Sequence, residues 1–201
     1  MDESAESLAR AIGRRVKQER NRRAWTLDQL AANAGVSRRM LVNVEQGGAN
    51  PSVGTLLRLS DALGVGLPAL VEPPNPSPAA LTRHGEGAVL WRGERGGKGV
   101  LVAGTQPPDV VELWDWTLAP GEHHVSEAHA EGTRELLHVH EGAMTVMVED
   151  NDYALRTGDA LTFHGDVAHS YANLKHTRAR FSLSVFEPEV GAAHKTKIHN
   201  D

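Results

Sequence analysis

The residue types best suited to metal or acid–base chemistry are concentrated in one part of this chain. The sequence contains eleven histidines and no cysteine, and every histidine stands at or after His84. Without cysteine there is no disulfide, no thiolate nucleophile and no cysteine-ligated zinc, so a metal site must use histidine and carboxylate ligands. The part of the chain after His84 is therefore where ligand chemistry is expected.

The charge divides the chain in a similar way. Residues 1–72 carry ten Lys or Arg against eight Asp or Glu, whereas residues 73–201 carry eleven against eighteen. Between the two parts, residues 72–78 (EPPNPSP) contain four prolines, which hold a chain extended. We predict two domains with different work, at residues 1–72 and 85–188, joined by a proline-rich linker at 73–84 and followed by a polar tail at 189–201.

The composition excludes several classes of protein. It is 40% hydrophobic and 23% charged over 201 residues, which is typical of a soluble globular protein. No stretch approaches the roughly 18 apolar residues that cross a bilayer, and the acidic start (MDES) is unlike a secretory signal. We therefore expect a cytoplasmic protein.

The first half has the periodicity of helices, and we predict an all-α domain of five of them. Apolar residues recur every four positions in the first helix, and Arg20 falls on the same stripe, where a charge needs a partner. Thr26 and Gln29 fit a capping box, Gly35 can end that helix, and Ser37 can cap the next one. Two helices joined by a tight glycine turn form a helix-turn-helix.

Residues 8–71 resemble the XRE (lambda-repressor-like) helix-turn-helix family. The pattern is visible in residues 26–65, TLDQLAANAGVSRRMLVNVEQGGANPSVGTLLRLSDALGV. Within it Ala31 is small where two helices cross, Gly35 can take the positive φ of the turn, and Leu41 can pack the second helix onto the first. The resemblance implies a DNA-binding domain. A protein-interaction module, with the arginines as a solvated face, is the alternative.

The same resemblance implies which residues meet DNA. Its recognition helix corresponds to residues 37–46, and it pairs Arg20 with Glu45 in a structural salt bridge. The implied DNA contacts at the start of this helix are Ser37, Arg38, Arg39 and Asn43. Arginine can read guanine and asparagine can read adenine, each with two hydrogen bonds. The basic candidates for phosphate contacts are Arg14, Arg15, Lys17, Arg22 and Arg23.

The second half changes to the alternating pattern of strands, with turns at intervals of about 8–12 residues, and predicts an all-β sandwich or barrel. Two of its segments resemble the paired motifs of the cupin family: residues 120–142 (PGEHHVSEAHAEGTRELLHVHEG) and residues 158–173 (GDALTFHGDVAHSYAN). The resemblance implies a jelly-roll-like barrel. It also implies a pocket whose ligands correspond to His129, Glu135 and His169, with Glu127 where the family has its first histidine.

Several departures from the cupin pattern leave the cofactor open. Besides Glu127, the second motif has His164 and Asp166 where proline and glycine are usual. Two imidazoles and two carboxylates can bind one divalent metal such as Zn, Ni, Fe or Mn. The alternative is a polar pocket that takes an organic effector without metal.

The alternation of side chains along a strand predicts which way the other histidines face. Because Glu135, Leu137 and Val139 share one face of their strand, His138 and His140 are expected to face outward or toward a partner. We place His123 and His124 in a turn as solvent groups, and His194 and His199 in the polar tail. The pocket wall is expected to include Trp114 or Trp116, Phe163 and Tyr171.

The order of the two domains resembles bacterial one-component regulators that join an XRE-type DNA-binding domain to a C-terminal cupin sensor. It implies a transcriptional regulator, not an enzyme. Its partners would be double-stranded operator DNA, a small-molecule effector and a second copy of the chain, because a palindromic operator needs two recognition helices. The alternative is a metal-dependent cupin enzyme, a dioxygenase or isomerase, with the first domain as a DNA-binding tether.

Overall fold

A computed structural model describes residues 3–48, 51–72 and 78–190. The chain separates into two compact units, of which residues up to 80 form most of the first and residues 81–105 and 109–188 form the second. Part of the predicted linker and most of the predicted tail, with His194 and His199, lie outside the described residues. Over the described parts, no helix is both long and apolar enough to span a membrane.

The described part of the first unit contains the five predicted helices. They are α1 (Glu3–Arg22), α2 (Leu27–Asn33), α3 (Arg38–Glu45), α4 (Val53–Leu63) and α5 (Gly66–Val71). Their starts follow from side-chain caps, since Ser37 and Ser52 each accept a backbone hydrogen bond at α3 and α4. The capping box predicted for α2 is present, with Thr26 and Gln29 bonded reciprocally at 3.2 and 2.7 Å.

In the core of the helical unit, α3 packs against both α1 and α2. Leu41 and Val44 of α3 are buried, and Gly35 takes a φ of +61° in the turn between α2 and α3. A side chain at Gly13 would collide with the Val44 carbonyl oxygen, so the backbones of α1 and α3 are in direct contact there. The remaining large core residues are Ile12, Val16, Leu30, Leu56, Leu59, Leu63, Leu67 and Leu70.

The described part of the second unit is built from ten strands and is all-β, as predicted. They are β1 (Ala88–Arg92), β2 (Lys98–Gly104), β3 (Val110–Leu118), β4 (His123–Ser126), β5 (Arg134–Glu141), β6 (Ala143–Val148), β7 (Asn151–Arg156), β8 (Ala160–His164), β9 (His169–Ala172) and β10 (Ala179–Glu187). They form a six-stranded sheet in the order β1-β2-β3-β10-β5-β8 and a four-stranded sheet in the order β4-β9-β6-β7. Every pairing in both sheets is antiparallel.

The inner faces of the two sheets enclose the aromatic and polar residues of the second unit. On β5 the predicted alternation is confirmed, because Glu135, Leu137 and Val139 are buried while His138 and His140 are exposed. The Tyr171 hydroxyl on β9 donates a hydrogen bond to Glu135 on β5, so a polar contact joins the two sheets across the interior.

Candidate functional site

The surface predicted to read DNA begins at the N-terminus of α3. The Ser37 hydroxyl accepts a hydrogen bond from the Met40 amide at 3.1 Å, which fixes the first turn. Arg38, Arg39 and Asn43 are all exposed. Arg38 lies 3.2 Å from Asp28, but both side chains are more than half exposed, so this ion pair is weak and easily exchanged for another contact.

The buried side of α3 is held by an ion pair between Glu45 and Arg20 of α1. Arg20 Nε and Nη2 lie 2.6 and 2.9 Å from the two carboxylate oxygens of Glu45, and Nη1 donates to the Trp25 carbonyl at 2.8 Å. The two side chains are only 11% and 7% exposed. The bidentate geometry locks α3 against α1 and sets the direction in which α3 presents its polar residues.

The predicted phosphate contacts on α1 divide into two groups. Arg15, Arg22 and Arg23 all lie within 3.2 Å of the buried carboxylate of Glu19. Arg23 also donates to the Glu19 and Leu63 carbonyls, so its guanidinium ties α1 to the end of α4. Its side chain is 29% exposed, and its role as a phosphate contact stays a prediction. Arg22 differs, because its side chain remains 57% exposed.

The second group faces solvent. An open groove of about 560 Å³ is lined by polar residues at helical spacing on α1, namely Arg14, Lys17, Gln18, Asn21 and Arg22. Three of the five are cationic, so this groove has the charge that a phosphate requires.

In the second unit, His129, Glu135 and His169 come together as predicted. Their ligand atoms lie within 4.8 Å of one another, with the Nε2 atoms of His129 and His169 at 2.9 and 3.1 Å from Glu135 Oε1. Glu135 lies on β5 and His169 begins β9, while the His129 amide is bonded to the Gly165 carbonyl at 2.9 Å. Gly165 keeps this space open, because a Cβ there would lie 3.1 Å from Glu135 Oε1.

Glu127, the fourth residue expected in this pocket, lies elsewhere. It is exposed and is not a member of the cluster. It follows directly after β4, in the connection that leads to His129, and there alternation no longer decides which way a side chain points. The cluster is therefore corrected to two imidazoles and one carboxylate.

The protons of the cluster follow from its hydrogen bonds. His169 Nδ1 lies 2.8 Å from the Val167 carbonyl, which can only accept, so Nδ1 carries a hydrogen. In a neutral ring Nε2 would then have only a lone pair, and that lone pair would face the Glu135 carboxylate. His169 Nε2 and Glu135 Oε1 are accordingly two buried polar atoms without a well-formed hydrogen bond. Either a second proton on His169 or a cation between the two atoms satisfies both.

The charges of the cluster support an ionised carboxylate. Burial raises the pKa of Glu135, but the close contacts and positive charge of His129 and His169 lower it to about 2. Burial lowers the pKa of His169, but its close contact and charge interaction with Glu135 dominate, and the pKa lies above its ordinary value. Tyr171 has its pKa raised well above its usual range, mainly by burial and by the Glu135 charge, and stays a hydrogen-bond donor.

The donor set fits a divalent metal ion. Two imidazole nitrogens and a carboxylate oxygen are ligands that Zn, Ni, Fe and Mn accept, and three protein ligands leave a position for a further molecule. The Val167 carbonyl supplies the outer contact that orients a ligating imidazole. An ion held by His129, Glu135 and His169 would supply Lewis acidity and a site for an oxygen ligand.

Two aromatic rings contact the cluster, and another ring of the same interior was assigned wrongly from the sequence. The ring centroids of Phe163 and Tyr171 lie 5.3 and 5.6 Å from that of His169, while Trp114 and Trp116, also expected in the wall, are buried. His124, predicted to be a solvent group in a turn, instead lies on β4 with its ring centroid 4.9 Å from that of Trp116. Burial, and then the nearby charge of His169, lower the pKa of His124 to about 4, so the ring is neutral at pH 7.

A buried carboxyl that the sequence reading did not single out lies on the same inner face. Glu112 of β3 is 1% exposed, and its Oε2 accepts from Trp114 Nε1 at 2.8 Å while Oε1 has no hydrogen-bond partner. Burial and the neighbouring charge of Glu187 raise its pKa well above the ordinary value. The alternation of Glu112 with Trp114 and Trp116 along β3 was the available signal.

Comparisons with known proteins agree with both units. Residues 16–70 match the helix-turn-helix family model, and residues 114–186 match the cupin domain model. The chain is 32% identical over 71 residues to an uncharacterized HTH-type transcriptional regulator, y4dJ, from Sinorhizobium fredii, covering 92% of that protein and 35% of this chain. This chain belongs to the helix-turn-helix transcriptional regulators, and its residues 114–186 match the cupin domain.

Two further comparisons extend over most of the chain. The XRE–cupin chain is 28% identical over 169 residues to the HTH-type transcriptional regulator SutR of Escherichia coli, covering 84% of this chain and 90% of that one. Its fold resembles the crystal structure of an HTH_3 family transcriptional regulator from Vibrio cholerae, with a TM-score of 0.72 and 24% identity over 92% of this chain and 99% of that one.

Proposed function

We propose that this XRE–cupin chain is a sequence-specific DNA-binding transcriptional regulator whose cupin domain senses a small-molecule effector, alone or together with a divalent metal. The observation that carries the proposal is the presentation of α3. A capped helix holds Arg38, Arg39 and Asn43 in solvent, and the buried pair of Arg20 and Glu45 fixes its other face.

In this proposal the polar residues of α3 enter the major groove of operator DNA. Arg38 and Arg39 each donate two hydrogen bonds to a guanine, and Asn43 pairs with an adenine, each contact giving about 1–3 kcal/mol of discrimination against the wrong base. Phosphates are contacted by Arg22 and by the cationic residues of the α1 groove, which supplies affinity without sequence preference. The Ser37 hydroxyl is used as the helix cap, so we assign Ser37 a positioning role at the DNA surface.

The cupin cluster acts as the sensor, and two copies of the chain bind a palindromic operator. A signal arises only when the effector binds the DNA-competent and DNA-incompetent arrangements with different affinity. His129, Glu135 and His169 are the proposed effector or metal ligands. The rings of Phe163 and Tyr171 beside His169 supply the apolar contacts that a small organic molecule would need at this cluster. We propose sensing in preference to turnover because the chain belongs to a family of regulators.

The proposal is tested by binding to an operator selected from random DNA by the wild-type protein. Arg38→Ala/Arg39→Ala is expected to lose at least about 30-fold in affinity for that operator, because two base-reading contacts of about 1–3 kcal/mol each are removed. The matched control is Arg10→Ala/Arg83→Ala, which removes the same charge at two other exposed arginines. Equal, small losses in both variants would reject base reading by α3.

A further inference from the structure

A second pair of histidines lies on the outer face of the six-stranded sheet, outside the cupin interior. His138 and His140 are two residues apart on β5, and both are exposed. Their ring centroids are 4.8 Å apart and the ring planes are nearly perpendicular, at 79°. Alternate residues of a strand project from the same face, so two imidazoles stand side by side in solvent.

An irregularity of the sheet brings the second ring into this position. β5 and β10 pair Val139 with Phe181 and Glu141 with Arg180, which leaves His140 between the two pairs as the extra residue of a bulge. Bulges bend a strand and redirect the side chain they carry. The His140 ring is turned toward β10, where its Nε2 meets the Ser182 hydroxyl.

The surroundings leave room and little opposing charge for a cation at this pair. His138 lies between Ser182 on β10 and the small, exposed Ala160 on β8. Two arginines at or just before the start of β10 are each paired with a carboxylate, Arg178 with Glu141 at 3.0 Å and Arg180 with Asp115 at 2.9 Å. Their positive charges are thus largely compensated.

We propose that His138 and His140 form a surface binding site for a divalent ion that prefers imidazole ligands, of the type of Cu²⁺, Ni²⁺ or Zn²⁺. Neutral imidazoles are good ligands for these ions, and two of them on one strand can chelate a single ion. Water fills the remaining coordination positions. The ion is held at the outer face and is independent of the cluster of His129, Glu135 and His169.

The test uses Cu²⁺ and the full chain. In a His129→Ala/His169→Ala background, which removes the inner candidate ligands, Cu²⁺ titration followed by calorimetry counts the bound equivalents. Adding either His138→Ala or His140→Ala is expected to remove one equivalent. The matched control is His123→Ala, an exposed histidine of β4, which is expected to keep it. Retention of every equivalent in both single variants would overturn the proposal.

A second measurement uses the same His129→Ala/His169→Ala background, so that the inner candidate ligands cannot take up the copper. Paramagnetic Cu²⁺ at less than one equivalent broadens the NMR signals of the imidazoles that bind it. The proposed site requires that the signals of His138 and His140 broaden together and recover when a chelator removes the copper. Broadening of only one of them, or of neither, would reject chelation by the pair.

Discussion

At the scale of single residues, two buried carboxyls of the cupin domain, Glu135 and Glu112, differ in the charge that they favour. Glu135 keeps its negative charge because two imidazoles and the Tyr171 hydroxyl surround it, whereas burial and the nearby Glu187 raise the pKa of Glu112 and favour a neutral carboxyl. The same inner face thus holds one carboxyl that is a candidate ligand and one that favours the protonated form. A cation is attracted to the first and gains little from the second.

His124 makes the stability of the cupin domain depend on pH. Its pKa falls from 6.5 in the unfolded chain to about 4 in the folded one. The unfolded state therefore binds the proton first. The stabilising contribution is complete above pH 6.5 and is lost as the pH falls toward 4, with a slope of up to about 1.4 kcal/mol per pH unit.

We expect His124→Phe to flatten this dependence, because phenylalanine can keep the contacts with Trp116 and Tyr171 and carries no proton. The measurement is the free energy of unfolding in urea between pH 4 and 7.5, followed by tryptophan fluorescence in the presence of EDTA. His123→Phe, at the exposed neighbouring position, keeps His124 and serves as the control. A variant that loses stability on acidification as steeply as wild type would show that the dependence comes from other groups.

At the scale of elements, the packing of α1 against α3 depends on one ion pair. Arg20 joins α1 to α3 through Glu45, with both side chains nearly buried. Arg20→Ala is expected to lower the free energy of unfolding of the helical unit by about 3 kcal/mol, because the Glu45 carboxylate is left buried without its partner. Circular dichroism at 222 nm during thermal unfolding measures this. Arg10→Ala, which breaks an exposed pair with Glu6, should change stability by less than about 1 kcal/mol.

The groove on α1 leads to a prediction about salt rather than about sequence preference. If Arg14 and Lys17 each contact a phosphate, Arg14→Ala/Lys17→Ala reduces the slope of log affinity against log salt concentration by about 1.8, because each contact releases about 0.9 of a counterion. The preference for operator over random DNA remains unchanged. The two slopes are compared by fluorescence anisotropy from 50 to 200 mM salt, and an unaltered slope would place the groove away from DNA.

The elements that the sequence predicted well are those with local signals. Thr26, Gln29 and Ser37 mark helix starts within a few residues, and the alternation along β5 separates Glu135 from His138. The failures come from contacts that form only in three dimensions. His124 is covered by aromatic rings from other strands, and the sequence reading did not anticipate the bond from Arg23 to the carbonyl of Leu63, forty residues away. Glu127 lies just beyond the strand, where alternation no longer applies.

At the scale of the whole molecule, sensing and DNA binding should be separable by mutation. His129→Ala/His169→Ala is expected to remove the effector or metal that the cupin domain binds. The affinity of this variant for the operator is expected to stay within twofold of that of the effector-free wild-type protein. Native mass spectrometry of protein isolated from its own cells measures the bound mass, with the denatured mass as reference. The same experiment reports whether the chain is a dimer.

The control for that experiment is His123→Ala, an exposed histidine of β4 that belongs to neither candidate site. Extra mass beyond that of a single metal ion that persists in His129→Ala/His169→Ala would place the effector pocket elsewhere. Loss of operator affinity in the same variant, with the helical circular dichroism unchanged, would mean that the two functions are not separable.

The aromatic residues of the cupin domain have an optical consequence. Trp91 and Trp114 have ring centroids 5.3 and 5.8 Å from that of Trp116, which in turn stacks on Tyr171, the residue hydrogen-bonded to Glu135. Rings at such distances couple electronically, so their near-ultraviolet dichroism depends on their mutual angles. Three of the four tryptophans of the sequence thus form a group of coupled chromophores that extends, through Tyr171, to the candidate site. We therefore expect occupancy of that site to change the near-ultraviolet circular dichroism of the protein, which can be measured without a label.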